Sequence, residues 1–361
     1  MNIALLSPSQ KAYSQTFIQA HKNNFDANVF YYYDHLSCLE GEGRLSVSNG
    51  EKMMLILEKG LGIKRSHLWE LAIRKSFKKH RIQKVYAEFG PTGVLVLPIC
   101  KKMNIPLIVN FHGNDISSYE ILDKYKDQYK ELFHYAESIV VVSRLMKQLV
   151  IELGAPVEKI VYTPCAPDDS FFRIAPEFTE KSVVAVGRFV EKKAPHCTIL
   201  AFKKVLETIP DAKLYMCGDG PLLPVCRHLI DYYKLNGSIS LLGVTSPDKI
   251  RDIFAKAWGF VQHSITAADG DMEGTPVGVL EASAAALPVI STKHAGIPDV
   301  VQDGVTGLLV DECDVDGMAE NMIKILSDRE YAMRLGRQGR DFVAENFAME
   351  KHMAVLNKLF I

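Results

Sequence analysis

Short β-branched runs alternate with longer amphipathic segments along nearly the whole chain. A strand, a helix and a second strand close as a parallel pair with the helix as crossover, so this alternation predicts α/β folding with parallel sheets. In the first half, strand-like runs fall at 2–6, 85–88, 107–111 and 138–142, separated by helical segments such as 93–103 and 144–153. A second series starts near Ser182, with runs at 182–186, 213–217, 239–242, 259–263, 288–291 and 307–310. Residues 164–176 between them are rich in Pro and Asp and lack apolar periodicity, which reads as a linker. The economical architecture is two doubly wound, Rossmann-like domains, 1–170 and 171–340, with an interdomain cleft and a helical tail at 341–361. Ligands of such sheets bind beyond the carboxyl ends of the strands.

The richest stretch for chemistry is Asp269 to Glu281, in which Glu273 and Glu281 stand eight residues apart. Glu273 ends a polar, Gly-rich loop. Gly274, Thr275 and Pro276 supply a helix start, and Pro is tolerated in a first turn because its missing N–H has no partner there anyway. The unpaired amides of a helix start bind phosphate. Ionised carboxylates beside them only accept hydrogen bonds, and sugar hydroxyls donate them. Phosphate next to polyol describes a nucleotide-sugar.

Other segments are weighed the same way. Val186, Gly187 and Arg188 end a predicted strand, and Arg188 and Lys193 can reach one anion from a single loop. Alone, that run reads first as a solvated basic turn; upstream of the Glu pair in a second α/β domain, the anion-binding reading leads. Gly218 and Gly220 permit a tight turn after 213–217 but make a weak dinucleotide fingerprint. Gly243 and Val244 end the next strand, and by themselves carry almost no signal. Asp269 and Asp271 invite a metal reading; basic residues elsewhere supply the phosphate with partners, and no metal is expected. His112, Gly113 and Asp115 close the run 107–111 at the carboxyl end of a parallel strand. There His112 is either structural or a hydrogen-bond donor to a sugar hydroxyl. Residues 64–81 form a basic amphipathic helix, with Trp69, Ala72, Ile73 and Phe77 on one face and Arg74, Lys75, Lys78, Lys79 and Arg81 largely opposite. That pattern fits an anionic membrane surface, and equally a crossover helix with a wet face.

A net charge of −1 gives no reason to expect nucleic acid as a partner. Seven cysteines scattered singly read as reduced, in the cytoplasm. The apolar run at Met1 is too short for a signal peptide.

The second half resembles the C-terminal domain of retaining glycosyltransferases of the GT-B fold, family four. The resemblance rests on Gly187-Arg188…Lys193, Cys217 to Leu222, Asp269 to Pro276, Glu281-Ala282, Leu287 to Ser291, Gly296 to Asp299 and Asp303 to Val310. The first half resembles the family less, at His112 to Asp115, Val142-Ser143 and 158–164. The resemblance implies that Arg188 and Lys193 bind the donor diphosphate, Glu281 the ribose hydroxyls, and Glu273 the donor sugar near the reacting centre. It places His112 by that sugar from the opposite domain, with Asp115 and Gly187 as further donor-binding positions. Gly274, Thr275, Pro276 and Val277 would meet sugar or phosphate, and Val244 the base. The terminal helix would cross back to the first domain through Phe347, Met353 and Leu356. Arg188, Lys193, His112 and Glu273 are the catalytic candidates. No cofactor is implied, because the nucleotide-sugar is a substrate. The acceptor expected is a glycan or lipid-linked glycan, with the protein cytoplasmic or peripheral on the inner face of the membrane.

Three departures stand out. The loop 7–17 lacks the Gly-Gly pair of many members and resembles a bacterial surface-polysaccharide subgroup instead. Ala194 and Ala286 replace customary glycines. Two rival functions stay open: a nucleotide-sugar 2-epimerase, and a non-catalytic nucleotide-sugar-binding subunit. A nicotinamide oxidoreductase is disfavoured because no G-x-G-x-x-G follows the first strand.

Overall fold

A computed structural model describes residues 1–10, 16–48 and 68–361. The first sheet contains β1 (Asn2–Leu6), β2 (Asn28–Tyr33), β3 (Cys38–Leu39), β4 (Gly43–Arg44), β5 (Lys84–Glu88), β6 (Leu107–Phe111), β7 (Ser138–Val141) and β8 (Ile160–Tyr162). Their order is β4-β3-β2-β1-β5-β6-β7-β8, parallel from β2 to β8, with β3 and β4 antiparallel at the edge. The second sheet holds β9 (Ser182–Val186), β10 (Lys213–Cys217), β11 (Ile239–Gly243), β12 (Gly259–Gln262), β13 (Val289–Thr292) and β14 (Gly307–Val310). It is wholly parallel, in the order β11-β10-β9-β12-β13-β14. That order reverses between β9 and β12, the point where ligands of doubly wound sheets bind.

The strands β5, β6, β12, β13 and β14 are buried on both faces, as crossover helices require. The helix Leu68–Lys79 turns Ala72, Ile73 and Phe77 to the core and leaves Lys75, Lys78 and Lys79 in solvent. Its apolar face is therefore used in packing, and residues 64–67 of the predicted basic segment lie outside the described ones. Among the described residues no helix is long and apolar enough to cross a membrane.

The tail is two helices. Arg329–Phe347 packs on the second domain so closely that a Cβ on Gly336 would sit 2.0 Å from the Ala286 carbonyl oxygen. The chain then turns extended at Ala348 (φ −58°, ψ 150°). The helix Met349–Asn357 and the turn after it cover the first domain, where Met353, Leu356 and Phe360 bury against Ile3, Leu5, Phe25 and Tyr86. The crossing starts at residue 349, inside the predicted 341–361. Ala194 and Ala286, at the two glycine-like positions, keep left-handed backbone at φ 35° and 56°. Each alanine there costs about 1–2 kcal/mol that glycine avoids.

Candidate active site

The loops at the carboxyl ends of the two sheets meet each other. The Ser117 hydroxyl accepts from the Met272 amide at 3.0 Å, and the Asp269 carbonyl accepts from the Tyr119 amide at 2.8 Å. The Thr275 hydroxyl donates to the Val142 carbonyl, and Asp299 accepts from the Arg144 amide at 2.7 Å. Gly113, with φ 128°, lets this happen: a Cβ there would lie 2.7 Å from the Met272 carbonyl oxygen. The loops of the two domains are thus held against each other at the carboxyl ends of both sheets.

At the point where the second sheet reverses, a cavity of about 30 Å³ is lined by Gly187, Arg188, Lys193 and Gln262. Lys193 pairs with Glu273 at 3.0 Å and donates to Gln262 at 3.1 Å. Burial lowers the Lys193 pKa, and the Glu273 carboxylate only partly offsets it. Burial works to raise Glu273, but Lys193 and Lys192 outweigh it and hold the pKa below the usual range. The neighbouring Lys192 takes Asp271 at 2.9 Å and the Met272 carbonyl at 3.0 Å. Asp269 accepts from the Asp271 amide at 2.9 Å, so both aspartates of the loop have partners.

The helix after this loop is Val277–Ala284, with Pro276 as its N-cap rather than in its first turn. The Pro276 carbonyl accepts from Val279 at 3.0 Å. Among the described residues no acceptor meets the amides of Val277 and Gly278. A Cβ on Gly278 would lie 3.2 Å from the Val186 carbonyl oxygen, so this helix start abuts the end of β9 and its Gly187-Arg188 loop. Arg188 is exposed there. Two cations and two unpaired amides thus border one place, an arrangement for phosphate.

Glu281, a little over one turn into that helix, faces a larger cavity of about 900 Å³ that Val277, Asp168, Arg173 and Phe17 also line. Among the described residues no hydrogen bond meets its carboxyl group. Burial and the nearby Asp168 push its pKa up to about 8, against a partial offset from Arg251. Ligand hydroxyls that donate to the ionised form favour proton loss. Affinity for a ligand whose hydroxyls donate to Glu281 is therefore expected to rise with pH up to about 8, by at most about tenfold per unit, and then level off. Calorimetry in buffers of different ionisation enthalpy should detect the released proton, and Glu281→Gln should abolish the release.

The His112 backbone lies against the Gly274 loop of the opposite domain, and its ring is packed into the first domain. Its Nε2 lies 2.6 Å from Glu88 Oε2, and Phe17 and Phe89 cover its ring at 4.3 Å and 4.7 Å between centroids. Its side chain lines neither cavity. Asp115 is likewise absorbed by the fold: its carboxylate accepts from the amides of Gly90, His112 and Gly113. The Thr275 hydroxyl is spent on Val142, and Val244 is exposed beyond β11, lining neither cavity. Residues 11–15 of the loop 7–17 lie outside the described residues.

Glu88, at the end of β5, escaped the sequence reading. It is fully buried and bonds His21 Nδ1 at 2.6 Å as well as His112. His21 Nε2 faces His352 Nε2 at 2.9 Å, and His352 Nδ1 meets the Thr163 hydroxyl at 2.9 Å. This line of side chains ties the crossing helix to the base of the His112 loop. Burial favours neutral His112, but Cys165 and Glu88 outweigh it and push its pKa up to about 10. Burial likewise favours a neutral Glu88, but His21 and His112 hold it down to about 2. His352 is pushed down to about 3, by burial first and His21 next. The sequence signal was an acidic residue closing a strand otherwise built for burial.

Comparison with known proteins matches residues 168–342 to the family model described as glycosyl transferases group 1, and residues 38–171 to glycosyltransferase family 4. The putative colanic acid biosynthesis glycosyltransferase WcaL of Escherichia coli is 33% identical over 65% of this chain and 59% of its own length. Its Salmonella typhimurium counterpart is 31% identical over 75% of this chain and 69% of its own. Against the first of these the match spans under two thirds of the relative. The crystal structure of Anabaena Alr3699/HepE in complex with UDP and glucose superposes with a TM-score of 0.79 at 15% identity, covering 100% of this chain and 99% of that one. The two-sheet architecture is the GT-B fold.

Proposed function

The chain belongs to the glycosyl transferases group 1, glycosyltransferase family 4, and from that premise we propose that it moves a hexose from a nucleotide diphosphate-sugar to a hydroxyl of a glycan or lipid-linked glycan. One observation carries this reading: Arg188 and Lys193 line one cavity where the second sheet reverses, Lys193 pairs with Glu273, and the amides of Val277 and Gly278, which meet no acceptor among the described residues, start a helix that abuts the end of β9. The diphosphate sits there and leaves with the sugar's C1–O bond pair. Arg188, Lys193 and the helix start stabilise the charge that develops on it. Glu273 accepts from the donor sugar, and Glu281 from the ribose. The acceptor hydroxyl attacks C1 from the face the diphosphate leaves, so configuration is retained. Its proton passes to an oxygen of the departing phosphate.

Three further features bear on the details. Asp269 and Asp271 are both engaged within their loop, which favours the two cations over a metal as the diphosphate's partners. The seven free cysteines suit the reducing cytosol. The exposed Lys75, Lys78 and Lys79 are the surface we assign to an anionic inner membrane face. UDP is the favoured donor base, with GDP the alternative.

A thermal-shift panel of UDP, GDP and ADP tests the reading. The matching nucleotide at a hundred times its Kd should stabilise the protein by about 2.7 kcal/mol. Incubation with the matching nucleotide-sugar and a glycan acceptor, with and without chelator, should then release the nucleoside diphosphate equally. No shift with any nucleotide would remove the donor site. Loss of release in chelator would remove the metal-free step.

A further inference from the structure

We infer that His294 and Glu312 are a positioning pair that fixes the backbone of Glu273, so that its carboxylate meets Lys193. The inference deepens the reading above and rests on it. The Glu273 amide can only donate, and its acceptor at 3.1 Å is His294 Nε2. That nitrogen is therefore unprotonated, and the ring proton lies on Nδ1, 2.6 Å from Glu312 Oε1. Glu312 thus selects the tautomer that lets His294 accept. Glu312 is itself held, accepting from the Thr266 amide at 2.8 Å.

The loop around Glu273 has other anchors on both sides of it: Lys192 on Asp271 and the Met272 carbonyl, Ser117 on the Met272 amide, and the Thr275 hydroxyl on the Val142 carbonyl. His294 is the side chain that takes Glu273's own N–H. Neighbouring backbone leaves little slack, since a Cβ on Gly296 would lie 2.0 Å from the Gly274 carbonyl oxygen. His294 is 1% exposed and the Glu312 side chain 34%. The pair therefore runs from solvent to the site, and its outer member can be changed without disturbing the core.

Glu312→Gln retains an oxygen to accept from Nδ1–H, and Glu312→Ala retains none. His294→Phe keeps the ring and loses both bonds. Hydrogen exchange of the 269–275 peptide, read by mass spectrometry on the whole unliganded chain, should speed up about tenfold or more in Glu312→Ala and His294→Phe, and stay within about threefold of wild type in Glu312→Gln. With UDP-glucose as the probe, kcat should fall roughly 10²-fold in the first two at an unchanged donor KM, as for a misplaced rather than a missing group. Equal behaviour of Glu312→Ala and Glu312→Gln, or wild-type exchange in His294→Phe, would overturn the inference. If the wild type does not turn over UDP-glucose, the donor choice above fails and the exchange result still decides this one. Thermal midpoints separate unfolded variants from mispositioned ones, and Glu312→Ala, at the surface, keeps the test open should His294→Phe not fold.

Discussion

Lys193→Met should lower kcat/KM for sugar transfer by roughly 10²–10³-fold, the usual result of removing one preorganised charge from a group that becomes negative as it leaves. The fall should lie mainly in kcat, because the leaving diphosphate gains charge as the bond breaks. The variant also strands Glu273, buried and ionised beside it, and an unpartnered buried charge costs about 3–5 kcal/mol. Activity and stability must therefore be separated. Adding Glu273→Gln removes the second charge, so the double variant should regain most of the stability and none of the activity. Donor turnover by the double variant at the wild-type rate would mean that this ion pair has no part in the chemistry.

The second large effect is expected at Glu88. Glu88→Gln leaves the cationic His112 without its carboxylate in a buried setting, a loss of about 3–5 kcal/mol. That corresponds to a fall of roughly 10 °C in the unfolding transition of the first domain. The pH dependence identifies the cause. His112 is raised from 6.5 to about 10, so its contribution is complete below 6.5 and lost as pH rises through about 10. Glu88 is lowered from 4.5 to about 2, so its contribution is complete above 4.5 and lost as pH falls through about 2. Wild-type stability from this pair should be greatest between these windows and decline from pH 7 toward 10. In Glu88→Gln the alkaline decline should flatten. Urea midpoints measured across that range settle the matter: an unchanged slope would show that His112 is not held as a cation.

The alternation of strands and helices was readable because each buried strand carries a dense apolar run. The ten predicted runs all coincide with strands to within a residue or two at their ends. β2 and β8 were passed over for different reasons. Asn28–Tyr33 is nearly all aromatic and β-branched but carries polar hydroxyls that blur the apolar count, and Ile160–Tyr162 is too short to register. Arg188 and Lys193 were singled out because they follow a predicted strand end on one loop, and Glu273 because it closes a polar Gly-rich loop before a helix start. His112 and Asp115 also follow a predicted strand end and still turned inward. What distinguishes them is a partner far away in the chain, Glu88 for one and the Gly90 amide for the other. Spacing along a sequence does not show which distant group will claim a side chain. His294 and Glu312 were missed for the same reason, since their link to Glu273 is a single bond to backbone.

The return of residues 349–360 to the first domain bears on synthesis at the ribosome. Met353, Leu356 and Phe360, which cover Ile3 and Leu5, are made more than three hundred residues after them. At about 5–20 residues per second that interval lasts tens of seconds. Throughout it the nascent first domain carries an apolar face without its lid, and the second domain must be translated beside that open surface. Chaperone demand in this protein therefore falls on the first domain, and persists until the helix Met349–Asn357 emerges and docks.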